Sequence, residues 1–127
     1  MMKVVAFKIY QKQAQLLRAL VKAGLYPSIS EPLRQAGWEL LRLIMEPLEY
    51  GEELSPIEFP SEFTTQFTGN TVSISGKFPL KMIEVIDWLV AKMTKYQNRS
   101  DYFRNALTGF LVLLCAISVS AIFNQLA

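Results

Sequence analysis

The chain has 127 residues, of which 51% are hydrophobic, and it carries 13 Lys and Arg against 11 Asp and Glu for a net charge of +2. That length suits one domain with a real core, and that apolar content excludes wholesale disorder. There is no histidine, Cys115 is the single cysteine, and the carboxylates form no catalytic arrangement. Disulfides, Cys/His metal sites and histidine-based nucleophile triads are therefore excluded, and neither enzymatic activity nor a cofactor is expected.

The N-terminal stretch MMKVVAFKIYQKQ has lysines through its apolar run and no small-residue cleavage site, so it is not read as a secretory signal, and a cytoplasmic location is expected. Within it residues 4–10 alternate. Val5, Phe7 and Ile9 share one face while Val4, Ala6, Lys8 and Tyr10 share the other, the pattern of a half-buried strand. A helix follows with Leu16, Leu17, Leu20 and Val21 as its stripe, and Gly24 is placed to end it in the left-handed conformation. Residues 26–36, YPSISEPLRQA, contain a Ser-x-x-Glu box (Ser28, Glu31) ahead of a longer helix whose apolar set is Leu33, Ala36, Gly37, Leu40, Leu41 and Ile44. Ser28 is the natural cap, but Pro32 would then lack the first intrahelical donor, which moves the cap toward Ser30.

From Glu46 to Glu62 the chain carries six glutamates and no Lys or Arg. Outside that stretch 13 basic residues face five acidic ones, a net +8, as expected of an anion-binding body. The stretch also holds Pro47, Pro56 and Pro60, so residues 46–70 read as an acidic linker, with Ile57, Phe59, Phe63 and Phe67 available to dock it on the body. A second strand follows over residues 72–79, VSISGKFP, with Ile74, Gly76 and Phe78 inward and Ser73, Ser75 and Lys77 outward. Next comes a helix striped by Met82, Ile83, Ile86, Leu89, Val90 and Met93. The stretch YQNRSDYFRNA, with Asn98 as a natural cap, then opens a last helix carrying Phe103, Ala106, Leu107, Phe110, Leu111 and Leu114.

These elements are two copies of one unit. Tyr26, Ser30, Glu31, Arg34 and Ala36 fall on Tyr96, Ser100, Asp101, Arg104 and Ala106 at a constant offset of 70, and Leu16, Leu17, Leu20 and Val21 fall on Val85, Ile86, Leu89 and Val90 at 69. One residue has been inserted in the second turn, where KAGLY becomes KMTKY. Neither unit can stand alone, because a single strand leaves both edges unpaired and two striped helices leave apolar surface exposed. Two copies solve both problems by pairing their strands antiparallel and packing four helices into one core. The expected organisation is a first unit over 1–45, the linker over 46–70, a second unit over 71–114 and an apolar helical extension over 115–127.

Strand, helix, turn and helix with Val21, Gly24, Tyr26, Ser30, Glu31, Arg34 and Ala36 resembles the ribbon-helix-helix family of Arc, MetJ, CopG and the ParD-type antitoxins. The second unit keeps Tyr96, Ser100, Asp101, Arg104 and Ala106, lacks the glycine and has Asp where the first has Glu. Tandem single-chain forms are similar to regulators of archaeal viruses, and a viral source would make the location the host cytoplasm. The resemblance implies a mainly α fold with a two-stranded antiparallel β-ribbon, a tandem ribbon-helix-helix forming an intramolecular pseudo-dimer. It implies a sequence-specific transcription regulator whose ribbon enters the major groove of double-stranded DNA. Carried over, Ala6, Lys8, Ser73, Ser75 and Lys77 would meet base edges. The segments Ser28, Ile29, Ser30 and Asn98, Arg99, Ser100 would hold phosphates at helix N-termini. Arg99 would add a charge that Ile29 cannot, and the unequal strands imply a site whose halves differ. On periodicity alone Lys8 and Lys77 would sooner solvate an exposed face than meet bases, and it is the repeat and the motif that reverse this; Arg34 and Arg104 are read as fold-holding partners of nearby acids.

No charged residue lies beyond Arg104, and residues 106–123 are apolar enough to raise the question of a membrane span. A four-helix core would occupy those up to Leu114 and leave about a dozen, short of the roughly 20 a span needs. Ala116, Ser118, Ser120 and Ala121 permit close helix approach, so self-association along DNA is preferred over a membrane. An antitoxin that binds a toxin protein through the acidic linker is the alternative function, and an adaptor without DNA binding is a third.

Overall fold

The computed structural model describes residues 1–126, with side chains through residue 114. It is mainly helical around one two-stranded antiparallel sheet. The elements are β1 (Met2–Tyr10), α1 (Gln11–Lys22), α2 (Ser30–Met45), a 3₁₀ turn (Glu46–Tyr50), α3 (Ser61–Thr64), β2 (Thr71–Pro79), α4 (Leu80–Lys92) and α5 (Arg99–Leu126).

The sheet is two-sided, as the alternation requires. Val5, Phe7 and Ile9 of β1 and Ile74, Gly76 and Phe78 of β2 are buried, while Val4, Ala6, Lys8, Ser73, Ser75 and Lys77 face solvent. The register runs from Met2↔Pro79 to Tyr10↔Thr71, with Ala6↔Ser75 at its centre. One further bond closes each end, Gln11 N to Asn70 O and Leu80 N to Met1 O, both at 3.0 Å. Those two bonds are counterparts at the offset of 69.

Each strand runs into its helix without a loop. Gln13 ties the first junction, its Oε1 accepting from Tyr10 N–H at 3.1 Å, and Pro79 precedes α4 with its φ already fixed. α1 ends as expected. Gly24 has φ 81°, and Leu25 N–H and Gly24 N–H donate to the carbonyls of Leu20 and Val21, the paired bonds of a left-handed helix stop. The inserted residue lies elsewhere than expected: α4 has 13 residues against 12 in α1, and both connections from Lys22 to Tyr26 and from Lys92 to Tyr96 have equal length. The helix itself absorbs the extra residue, because another α-helical residue keeps every backbone bond whereas a longer turn would not.

The start of α2 also corrects the expectation. Its cap position is Ile29, Ser30 is already helical, and neither Ser28 nor a Ser28/Glu31 box caps it. With Ser30 first, Pro32 occupies the third helical position, where an N–H would have no acceptor in any case, and Leu33 N–H makes the first bond to Ile29 O at 3.3 Å. Glu31 turns instead to Arg34. At α5 the expectation stands: Asn98 Oδ1 accepts from Asp101 N–H at 2.9 Å while Asp101 Oδ2 accepts from Gln97 N–H at 3.1 Å.

The core is built from both units. All six expected α2 positions are buried, as are Phe103, Ala106, Leu107 and Leu111 of α5 and Met82, Ile83, Ile86 and Leu89 of α4. Its aromatic centre is lopsided. Phe103 stacks on Phe7 at 4.1 Å between centroids, with Phe78 and Tyr102 against its other sides. Buried Gln13 donates to Arg104 O and Thr108 Oγ1, so all three of its bonds are made inside the protein. The acidic linker is docked by its apolar residues: Phe67 is buried, Ile57 and Phe59 pack against the core, and Phe59 lies so close to Gly109 that a Cβ there would collide with the ring. All six linker glutamates remain exposed. The side chains of Ala116, Ser118, Ser120 and Ala121 lie outside the described residues. Among the described residues, no helix is long and apolar enough to cross a membrane.

Candidate nucleic-acid interface

The outer face of the ribbon is a short ladder of side chains. Val4 stands opposite Lys77, Ala6 opposite Ser75 and Lys8 opposite Ser73. Each lysine thus has an uncharged partner, and four residues of strand, roughly 13 Å at the usual rise, separate the two ends. Every one of these six residues is exposed, so all five expected base-contact residues, Ala6, Lys8, Ser73, Ser75 and Lys77, share one accessible surface.

The second helix of each unit grips the strand of the other unit. Ser100 Oγ accepts from Lys8 N–H at 2.9 Å, and Arg104 donates to Lys8 O at 3.0 Å. In the same way Ser30 Oγ accepts from Lys77 N–H at 3.0 Å, and Arg34 donates to Lys77 O at 2.7 Å. The Ser-x-x-x-Arg spacing places serine and arginine one helical turn apart, so one helix face reaches both backbone groups of a single strand residue. A two-stranded ribbon has two open edges, and the clips cover both where the lysines sit. Ion pairs to Glu31 and to Asp101, the latter at 3.8 Å, hold the two guanidinium groups from behind. The sequence singled out these serines and arginines by their offset of 70 but could not show that their partners are the backbone atoms of Lys8 and Lys77.

The clips fix where the helix N-termini lie. Ser30 and Ser100 are the first and second residues of α2 and α5, and each touches a ribbon edge, so the first turns of the two helices flank the outer face on opposite sides. First-turn N–H groups have no intrahelical acceptor, and the helix dipole makes that end positive. Each serine hydroxyl accepts from the ribbon and retains its own proton for donation. Of the expected phosphate set, Ser28 and Asn98 are exposed and Ile29, Ser30, Arg99 and Ser100 half-buried, in two clusters at these helix starts.

The charge at the second cluster differs from the expectation. Arg99 donates to both carboxylate oxygens of Asp87 on α4, Nε at 3.0 Å and Nη2 at 2.7 Å. Its charge is already matched within the protein. At the offset of 69, the counterpart of Asp87 is Arg18, an exposed cation with no ion pair among the described residues. Among these counterparts the first unit has Ile29 and Arg18, and the second has the ion-paired Arg99 and Asp87.

Among the described residues, no cluster of His, Cys, Asp and Glu could hold a metal ion. An apolar hollow of about 320 Å³ between α2 and α5 is lined by Ala36, Leu40, Phe59, Gly109 and Phe110, together with Gln35, Glu39 and Arg42. No family model matches the chain, and no curated protein or solved structure matches it either.

Proposed function

We propose that the chain is a tandem ribbon-helix-helix pseudo-dimer that binds double-stranded DNA in a sequence-specific way and regulates transcription. The observation that carries this reading is the pair of equivalent clips. They hold an exposed Lys/Ser ribbon between two helix N-termini, a layout that serves no need of the core, since the residues on the outer face are buried by nothing. A two-stranded ribbon fits a major groove about 12 Å wide, and helix starts on either side of it meet the flanking phosphates. Lysine donates to guanine acceptors, serine donates or accepts, and valine or alanine contacts a thymine methyl. Exposed linker glutamates would be held away from the polyanion by the docking of Phe59 and Phe67 on the body. In this reading residues 115–127 join copies along DNA.

A salt-titrated binding assay with genomic DNA fragments, paired with light scattering for mass, tests the reading. Affinity should fall steeply between about 50 and about 200 mM salt, as released counterions demand. Lys8→Ala and Lys77→Ala should each weaken specific binding about tenfold, in line with about 1–3 kcal/mol for a good base contact. Absence of any DNA binding at low salt would reject it.

A further inference from the structure

We infer that the two ends of the ribbon read unlike DNA half-sites, alike at one outer position each and different beside it. The inference rests on the DNA-binding reading above and names the kind of site bound. Repeat counterparts differ by 69, and paired residues sum to 81, so a pseudo-two-fold axis passes through the Ala6↔Ser75 pair. Two identical strands would present the same chemistry on both sides of that axis, and a palindrome would fit them best. Here Lys8 and Lys77 are counterparts, but Val4 corresponds to Ser73 and Ala6 to Ser75.

The register converts this into two chemically distinct ends. One end presents Lys77 beside Val4, with Ser30 at its edge. The other presents Lys8 beside Ser73, with Ser100 at its edge and the matched Arg99 and Asp87 behind. A lysine at each end selects an acceptor-rich guanine at both outer positions. Next to it, Val4 selects a thymine methyl and cannot satisfy a polar edge, whereas Ser73 can donate or accept. At the axis itself Ala6 and Ser75 differ in the same sense. The inequality therefore lies in the ribbon, not in the charge of Arg99, which Asp87 matches.

The test is selection of sites from random duplex DNA, followed by affinities for the selected site and for the two palindromes built from its separate halves. The wild-type chain should bind the composite site about tenfold tighter than either palindrome, the discrimination expected of one unlike base contact. In Val4→Ser/Ala6→Ser both ends carry serine, and the palindrome built from the Ser73 half should rise to equal the composite. Both substituted positions are exposed, and circular dichroism with retained binding to that palindrome verifies folding. A palindromic wild-type optimum, or palindromes within twofold of the composite, would overturn the inference while leaving DNA binding intact. Recovery of no DNA by the wild-type chain would overturn both.

Discussion

The two units of this chain agree at their contacts with each other and diverge in what they otherwise bury and expose. Ser30 and Ser100, with Arg34 and Arg104, make the same four bonds to the partner strand. Elsewhere counterparts part company. Phe7 corresponds to Gly76, Phe103 to Leu33, buried Gln13 to buried Met82, and Thr108 to the exposed Trp38. Tyr26 and Tyr96 look equivalent in sequence, yet Tyr26 bonds Gln35 at the surface while Tyr96 is buried, its hydroxyl making no well-formed hydrogen bond among the described residues. When two copies share one chain, each position needs to work only once. Identity and contact are retained together at the serines and arginines, where both units meet the same geometric demand, the covering of a ribbon edge.

The comparison can be broken most strongly at its lopsided aromatic centre. Phe103→Ala should cost about 4 kcal/mol by urea unfolding, and its counterpart Leu33→Ala about 3 kcal/mol, because both sites are fully enclosed and the larger ring leaves the larger cavity. Equal losses would show that the core treats the two units alike. Next, Gln13→Ala should cost about 2 kcal/mol, since it strands Tyr10 N–H and leaves Thr108 only its bond to Arg104 O, whereas Gln13→Met copies the other unit and should cost less. A smaller effect of about 1 kcal/mol is expected for either Arg34→Ala or Arg104→Ala, with similar values for the two, because each loses its bond to the ribbon carbonyl together with a weak, partly exposed ion pair. A large difference between them would mean that the clips are not equivalent.

The smallest effect separates the tyrosines by pH. Burial pushes the Tyr96 phenol from 10.0 up to about 12 and also raises that of Tyr102, whose hydroxyl donates to Gly37 O at 2.8 Å. A raised phenol favours the neutral form in the folded protein. Its stabilising contribution is therefore complete below pH 10.0 and is lost as pH rises through about 12, because the unfolded chain releases the proton first. Thermal unfolding should show Tyr96→Phe unchanged or slightly more stable at neutral pH and less sensitive than wild type to that alkaline interval.

Much of this architecture was legible because its causes are local. Alternation with period two at Val5, Phe7 and Ile9, stripes at three and four, and the stop at Gly24 follow from backbone geometry that each segment meets by itself. The start of α2 was not, since Ser28 and Ser30 are both acceptable local caps and the choice turned on where Pro32 could sit without an N–H. The extra residue of the second unit was assigned to a turn, but the helix accommodates it at no loss of hydrogen bonds. At the candidate interface, composition and alternation chose the right outward set on the ribbon. They gave no hint that Asp87, 12 residues before Arg99, takes up its charge.

By itself the sequence determined that two strand-helix-helix segments exist, which strand faces are apolar, and that each carries serine and arginine one turn apart. Those are consequences of short-range periodicity. Only the tertiary structure decided that each serine and arginine serves the opposite segment's lysine, that Ala6 and Ser75 share the central position, and that Arg99 is matched by Asp87. The clips join residues 43 to 96 positions apart and the ion pair residues 12 apart on different helices, and such pairings depend on how whole elements pack rather than on any local preference.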